Sequence, residues 1–66
     1  MKIIVNGKPE QVSDTVPLEE YLLQKSVRSD HIVIELNHAI IKKEAWHTVQ
    51  LKENDSLEIV RLVGGG

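Results

Sequence analysis

Residues 2–12 read KIIVNGKPEQV, and this stretch carries the clearest local structural signal in the chain. Asn6-Gly7 stands between two extended runs, and an Asn-Gly pair suits the positive φ angles of a type I′ hairpin turn. Pro9 cannot donate a hydrogen bond to a neighbouring strand, so it indicates that the second run lies at a sheet edge or begins there. The stretch therefore predicts a β-hairpin over residues 1–12.

A short amphipathic helix is predicted next, within SDTVPLEEYLLQKS (residues 13–26). Thr15 can cap such a helix, and Pro17 is tolerated in its first turn. Leu18, Tyr21 and Leu22 are spaced at i, i+3 and i+4, so they lie on one stripe. A helix of about ten residues is marginal by itself, so we expect this stripe to pack against a sheet.

The second half of the chain returns to strand-like sequence. Residues 31–41, HIVIELNHAII, are rich in β-branched side chains, and Asn37 tolerates the left-handed region that a turn requires. Residues 42–47, KKEAWH, predict a single helical turn. TVQL (48–51) and SLEIVRLV (56–63) predict two further strands with a polar turn between them. The predicted fold class is α+β, with a mixed sheet of about four or five strands and one main helix on one face.

The composition argues against several classes of function. The 66 residues carry charges of both signs and a net charge of −2, which gives no electrostatic reason to expect a nucleic acid or an anionic membrane as partner. The chain has no cysteine, so it has neither a thiolate metal site nor a cysteine nucleophile. It also has no signal peptide and no long apolar stretch, so we expect a cytoplasmic protein.

The side chains predict no internal catalytic or metal site. His31, His38 and His47 lack the spacing of metal ligands, and we interpret them as surface residues. Trp46 is expected to pack against the sheet, because it is the sole tryptophan of a small core. We therefore expect a chain that is not an enzyme and that binds no metal or cofactor by itself.

The end of the chain, VRLVGGG, is the most informative functional feature. Glycine loses the most backbone entropy on ordering, so Gly64, Gly65 and Gly66 are not expected to pack on the domain. Four extended residues from Val63 reach roughly 13 Å, which is enough to carry a carboxylate into the active site of a partner. An inert, frayed end is the alternative, because many termini are of that kind. We favour the reactive terminus, since a strip without Cβ atoms fits a narrow channel.

Strand alternation predicts an apolar patch on the uncovered face of the sheet. If Leu57 and Ile59 face the helix, Val60 and Leu62 remain on the other side, where Ile4 of the first hairpin can join them. A contiguous apolar patch marks a docking surface, whereas scattered exposed apolar residues are normal. The alternation alone leaves these two interpretations open.

Four stretches together carry a resemblance to a known family: IIVNGK (3–8), TVPLEEYL (15–22), VIELNHAIIKKEAW (33–46) and NDSLEIVRLVGGG (54–66). Through them the chain resembles, over its whole length, the ThiS family, the sulfur-carrier proteins of thiamin biosynthesis. Lys43 stands where that family usually has arginine, and lysine lacks the planar fork needed for a bidentate contact. The resemblance implies the β-grasp fold of ubiquitin over residues 1–63, followed by a flexible glycine tail over residues 64–66.

The resemblance also implies a chemistry in which partner enzymes act on Gly66. An E1-like adenylating enzyme would use ATP and Mg to convert the carboxylate into an acyl-adenylate. A persulfide supplied by a cysteine desulfurase or a sulfurtransferase would displace AMP and leave a thiocarboxylate. A thiazole synthase would take the sulfur to form the thiazole of thiamin. The folded body would supply docking, for which the surface around Ile4, Val60 and Leu62 is our candidate.

Three alternative functions stay open. The small subunit of molybdopterin synthase is also a β-grasp sulfur carrier with a diglycine end, although the short helix and the VGGG ending favour thiamin. A ubiquitin-like modifier, joined to lysines, would use the same tail, so the tail alone does not discriminate between carrier and modifier. A plain interaction domain with an inert tail is the third alternative.

Overall fold

The computed structural model describes residues 1–12, 15–27 and 30–62, and these form one sheet with one α-helix packed on it. The predicted α+β class is confirmed. The strands are β1 (Lys2–Val5), β2 (Lys8–Gln11), β3 (Ile32–Leu36), β4 (Ala39–Ile41) and β5 (Ser56–Arg61). Helix α1 spans Leu18–Gln24, and a 3-10 helix spans Lys43–Ala45.

The five strands form a mixed sheet in the order β2-β1-β5-β3-β4. The two central strands, β1 and β5, run parallel, and the other neighbouring pairs are antiparallel. Pro9 lies in β2 at one edge, where its missing hydrogen-bond donor is tolerated, as the sequence predicted. Because the last strand is central, the chain reaches its C-terminal residues from the middle of the sheet.

Two-residue turns of the same kind close both hairpins. Asn6 and Gly7 have φ angles of 51° and 83°, and Asn37 and His38 have φ angles of 52° and 72°. Positive φ at both central residues is the mark of the type I′ turn. The prediction of Asn37 as a turn residue is therefore confirmed, and a histidine follows it where glycine would be favoured.

Helix α1 is shorter than the sequence predicted. It has seven residues, and its N-cap is Pro17, which provides no side-chain hydrogen bond. The prediction that Thr15 caps the helix is wrong, because the Thr15 hydroxyl donates instead to the carbonyl oxygen of Leu51, 2.7 Å away. The hydroxyl thus joins two distant parts of the chain, which local sequence does not reveal.

Residues 48–51, predicted to be a strand, do not join the sheet. The backbone N–H of Leu51 donates to the carbonyl oxygen of Val16 at 2.9 Å, and an isolated bridge pairs Pro17 with Gln50. The segment therefore pairs with the chain that enters α1. This pairing places the side chain of Leu51 in the core, where it is fully buried.

The core lies between α1 and one face of the sheet. Trp46 belongs to this core, and its Nε1–H donates to the carbonyl oxygen of Ile41 at 3.0 Å, which satisfies its polar atom. A core of this size supports only modest stability. The buried hydrophobic residues are Ile3, Val16, Leu18, Tyr21, Leu22, Ile34, Trp46, Leu51 and Leu57.

A polar cluster ties the helix to the edge strand β2. The Tyr21 hydroxyl donates to Oε1 of Glu10, and Nζ of Lys25 lies 3.3 Å from Oε2 of the same carboxylate. The Tyr21 hydrogen bond, helped by Lys25, holds the pKa of Glu10 below its ordinary value. Burial, reinforced by Glu10, raises the pKa of Tyr21. The cluster therefore favours an ionised Glu10 beside a protonated Tyr21.

A second polar contact fixes the start of β5. Asp55 is buried, with 5% of its surface exposed. Its Oδ1 accepts a hydrogen bond from Nδ2 of Asn37 at 3.0 Å, and its Oδ2 accepts one from the backbone N–H of Lys52 at 2.7 Å. Asn37 in turn accepts from the backbone N–H of Ser56 at 2.9 Å. The β3–β4 turn is thereby joined to the turn that leads into β5.

Candidate functional site

No helix of the described ranges covers the sheet face opposite α1, which we call the open face. Along β5, alternation directs Leu57 and Ile59 toward the helix and Glu58 and Val60 toward the open face. Val60 is 43% exposed, and Leu62, which follows the strand, is 56% exposed. These two predicted docking residues therefore lie at the surface and outside the core. Their role in docking stays a prediction.

The strand register sets the order of residues on the open face. Val33 of β3 lies opposite Val60 of β5, and Glu35 lies opposite Glu58. Ile40 of β4 lies opposite Glu35 on the other side of β3. An apolar rung formed by two valines is thus followed by an acidic rung formed by Glu35 and Glu58.

Ile4 lies toward the other end of this face. Its neighbours in the sheet are Pro9 of β2 and Ser56 of β5. Ser56 precedes Val60 by four residues, which corresponds to about 13 Å along a strand, and Glu58 lies between them. The register therefore separates Ile4 from Val60 along the strand direction, and the role of Ile4 in docking stays a prediction.

Three open-face residues were not predicted from the sequence: Val33, Glu35 and Ile40. The stretch HIVIELNHAII is apolar at most positions, so alternation does not tell which of its residues face the core. One usable signal was present, because Glu35 and Glu58 each interrupt an apolar strand. A carboxylate is rarely buried without a partner, so such a residue indicates the exposed face of a strand.

The predicted tail, Gly64, Gly65 and Gly66, lies outside the described residues, together with Val63. Up to Leu62 the chain continues along β5, and the backbone N–H of Leu62 donates to the carbonyl oxygen of His31 at 2.6 Å. Residue 62 is therefore held next to the apolar rung of the open face. A protein that contacts the residues following Leu62 approaches this end of the face.

A groove of about 540 Å³ opens on the other side of the molecule, beside α1. Its apolar wall includes Leu22, Leu23, Val27 and Trp46. Lys43, which stands at a position where arginine was expected from the resemblance, also lines the groove. The groove is distant in the fold from the open face, because the sheet and the core separate them.

The described parts of the chain contain no cluster of three His, Asp or Glu side chains that could hold a metal ion. His31, His38 and His47 are exposed, at separate places in the fold. No helix within the same ranges is long and apolar enough to cross a membrane.

Comparison with known proteins identifies the family. The ThiS family model matches residues 3–66, a range that includes all three terminal glycines. The chain belongs to the ThiS family. The resemblance inferred from the sequence is confirmed, and it extends over both the folded body and the tail of this ThiS-family chain.

Individual relatives agree with this assignment. The chain is 36% identical over 63 residues to the sulfur carrier protein ThiS of Bacillus subtilis, covering 94% of this chain and 96% of that protein. It is 32% identical over 66 residues to a thiazole synthase of Magnetococcus marinus, covering 100% of this chain and 20% of that protein. A crystal structure of a thiamine biosynthesis protein (ThiS) from Geobacter metallireducens matches with a TM-score of 0.89 and 30% identity, and both chains are fully covered. The predicted β-grasp fold is thereby confirmed.

Proposed function

We propose that this ThiS-family chain is a sulfur carrier of thiamin biosynthesis, and that its Gly66 is adenylated and then converted into a thiocarboxylate. The observation that carries the proposal is the family match, which runs through Gly66. The likeness to a protein named as a sulfur carrier supports the carrier role. The likeness to a thiazole synthase supports thiazole formation as the destination of the sulfur, and it favours thiamin over molybdopterin.

The proposed chemistry begins with activation, because a free carboxylate is a poor acyl donor. A carboxylate oxygen of Gly66 attacks the α-phosphorus of MgATP on an E1-like adenylating enzyme, and pyrophosphate leaves. The terminal sulfur of a persulfide, supplied by a cysteine desulfurase or a sulfurtransferase, then attacks the acyl carbon, and AMP leaves. A second thiol cleaves the resulting acyl disulfide. The carrier keeps the sulfur as a thiocarboxylate, and the two thiols become a disulfide.

In this scheme the chain contributes the acyl group and the surface that positions it. Partner enzymes supply the nucleotide, the sulfur and the catalytic groups, so the carrier itself is not an enzyme. Four extended residues after Leu62 span roughly 13 Å, so an enzyme that holds the end of the open face has Gly66 within reach of its active site. Holding the body in this way makes the reaction at Gly66 effectively intramolecular.

Intact-mass analysis tests the proposal. The chain is incubated with its activating enzyme, ATP, Mg and a persulfide donor, and the mass is then measured without a reductant that strips sulfur. We expect a species in which one oxygen is exchanged for sulfur. A ladder of larger species would instead indicate conjugation to lysines, as for a ubiquitin-like modifier. An unmodified mass, with no ATP–pyrophosphate exchange, would contradict the proposal.

A pair of glycine variants tests whether the tail enters a narrow channel. Gly66→Ala is expected to change the free energy of unfolding by no more than about 0.5 kcal/mol and to slow ATP–pyrophosphate exchange, since a Cβ atom crowds the channel. Gly7→Ala is the matched control. Gly7 has a φ of 83° with open space around its Cβ position, so alanine strains the turn there by about 1 kcal/mol without affecting exchange. Unchanged exchange with Gly66→Ala would refute the narrow channel.

A further inference from the structure

Glu35 and Glu58 occupy directly opposed positions on β3 and β5. Side chains in such positions on one face have Cβ atoms about 5 Å apart, and like charges there destabilise a sheet. Both residues are half-buried, so water and salt screen the two carboxylates less than they screen fully exposed charges. The register therefore places two acidic side chains next to each other in the middle of the open face.

No cation within residues 1–12, 15–27 and 30–62 compensates this acidic rung. The ion pair of these ranges joins Lys25 to Glu10, on the helix side of the sheet. The neighbours of the rung on the open face are Ile40, which lies opposite Glu35, and the apolar rung. The rung is thus bordered by apolar side chains toward Val60 and by the polar Ser56 toward the start of β5.

We propose that the open face binds an arginine of the activating enzyme between Glu35 and Glu58, while apolar groups of that enzyme contact Val60 and Leu62. The inference rests on the proposed function, since it takes the enzyme that acts on Gly66 as the occupant. A guanidinium group suits the site because its planar fork donates to two carboxylates at once.

The position of the rung relative to the C terminus favours an enzyme that acts on Gly66 as the occupant, and activation is the first step of the proposed function. Val60 follows Glu58 on β5, and Leu62, which follows that strand, is held beside His31 by a backbone hydrogen bond. The remaining residues reach roughly 13 Å, so an enzyme with its active site around Gly66 must lie close to this end of the open face. The face and the reactive terminus are therefore contacted by the same protein.

Charge complementarity specifies what that protein presents. A cation placed between the carboxylates is attracted by both and removes their mutual repulsion. A neutral or acidic surface would bury two unpaired charges, which is costly. The rung therefore favours the correct enzyme and also rejects surfaces that lack a cation. A second copy of this chain docked through the same rung would bring four carboxylates together, so it does not satisfy the site.

The test compares two double variants that remove the same charge. Glu35→Gln/Glu58→Gln neutralises the rung, and Glu20→Gln/Glu44→Gln neutralises two exposed residues of α1 and the 3-10 helix. The Kd for the purified activating enzyme is measured at low and high salt, and the urea midpoint of unfolding is measured for each variant. We expect the rung variant to raise Kd about tenfold or more and to weaken its salt dependence. We expect its unfolding midpoint to stay equal or rise, because a repulsion is removed, and we expect the control to keep the wild-type Kd.

The outcomes separate this inference from the proposed function. A wild-type Kd for the rung variant overturns the inference, and the proposed function stands if the wild-type chain is still adenylated. Absence of ATP–pyrophosphate exchange with the wild-type chain contradicts the proposed function instead. Equal losses in both double variants would assign the effect to net charge and overturn the inference.

Two further measurements examine other occupants of the rung. The single variant Glu58→Gln is used for the binding measurement if the double variant does not fold. Self-association of the wild-type chain in sedimentation, abolished by the rung variant, would assign the rung to a second copy. Heat released by Mg²⁺ or Ca²⁺ with the isolated chain, abolished by the same variant, would assign it to a metal ion. Either result overturns the inference. Glu58→Gln is expected to raise Kd by less than the double variant.

Discussion

The two faces of the sheet differ in burial and in polarity, although the same strands form both. On the helix side, Ile3, Ile34 and Leu57 are completely buried. On the open face, Val60 is exposed over less than half of its surface and lies beside the acidic rung. Because successive residues of a strand point to opposite faces, β5 contributes to the core and to the surface in alternation. If the open face is the docking surface, a substitution in β5 is expected to change either stability or partner binding and to leave the other.

Polar groups follow the same division. Every buried side-chain nitrogen or oxygen in the described ranges has a hydrogen-bond partner. Asp55 accepts from Asn37 and Lys52, and the Tyr21 hydroxyl donates to Glu10. On the open face, Glu35 and Glu58 face each other without such compensation within the same ranges. The polar groups of the helix side are thus satisfied within the free chain, whereas we propose that a partner supplies the missing contact on the open face.

The largest effect is expected from a test that compares the two faces by the same substitution, leucine to alanine, at Leu57 and at Leu62. Leu57→Ala removes a fully buried side chain beside α1 and is expected to lower the free energy of unfolding by about 2–5 kcal/mol. Leu62→Ala removes a side chain that is 56% exposed, and the expected change is within about 0.5 kcal/mol. Urea unfolding measures both values. The Kd for the activating enzyme is expected to rise for Leu62→Ala and to stay at the wild-type value for Leu57→Ala, measured under conditions in which both variants are folded.

Similar losses of stability for the two variants would contradict the division of faces, because Leu62 would then belong to the core. Leu62→Asp sharpens the same test. An added carboxylate at the end of the open face is expected to weaken partner binding more than alanine does, with little further loss of stability.

The features that the sequence predicted correctly are those with local causes. Asn6-Gly7 specifies its own turn geometry, and the spacing of Leu18, Tyr21 and Leu22 specifies which side of the helix is buried. Likewise, Asn37 is suited to its turn by its own backbone preference. These residues determine structure within a few positions of themselves, so the sequence alone was sufficient.

The features that the sequence missed depend on contacts between distant segments. Thr15 donates to Leu51, and this contact replaces the helix cap that the local pattern indicated. Opposition of Glu35 and Glu58 requires the register between β3 and β5, which no local motif encodes. The tail lies outside the described residues, so its role rests on the family match and on the chemistry of a glycine terminus.

An intermediate effect is expected from Tyr21→Phe, which tests the polar tie at the edge of the helix side. The Tyr21 hydrogen bond lowers the pKa of Glu10, so this stabilisation is present above the ordinary carboxyl value of 4.5 and is lost as the pH falls through the lower folded value. The pKa of Tyr21 is raised, so its contribution is present below 10.0 and is lost as the pH rises further. Between these two pH limits, we expect the free energy of unfolding of the wild-type chain to exceed that of Tyr21→Phe by about 1 kcal/mol. The difference is expected to be smaller at more acid and at more alkaline pH.

Urea unfolding across this pH range measures the difference, and a Glu10→Gln background provides the control. In that background the effect of Tyr21→Phe is expected to shrink and to lose its dependence on acid pH. A difference that stays constant from acid to alkaline pH would mean that Tyr21 acts through packing alone. Partner affinity is expected to stay unchanged, because Tyr21 lies on the helix side.

The smallest expected effect concerns a residue that belongs to neither face. His38 has a φ of 72° in the β3–β4 turn, at the position that Gly7 occupies in the β1–β2 turn. Gly7 adopts such an angle without steric cost, whereas a histidine is strained there. We expect His38→Gly to raise the free energy of unfolding by about 0.5 kcal/mol, since part of the relief is offset by the greater freedom of glycine in the unfolded chain. Urea unfolding measures the gain, and Kd for the activating enzyme is expected to remain at the wild-type value. A loss of affinity with a gain of stability would extend the docking surface to this turn, and the division between the two faces would then no longer describe the whole binding site.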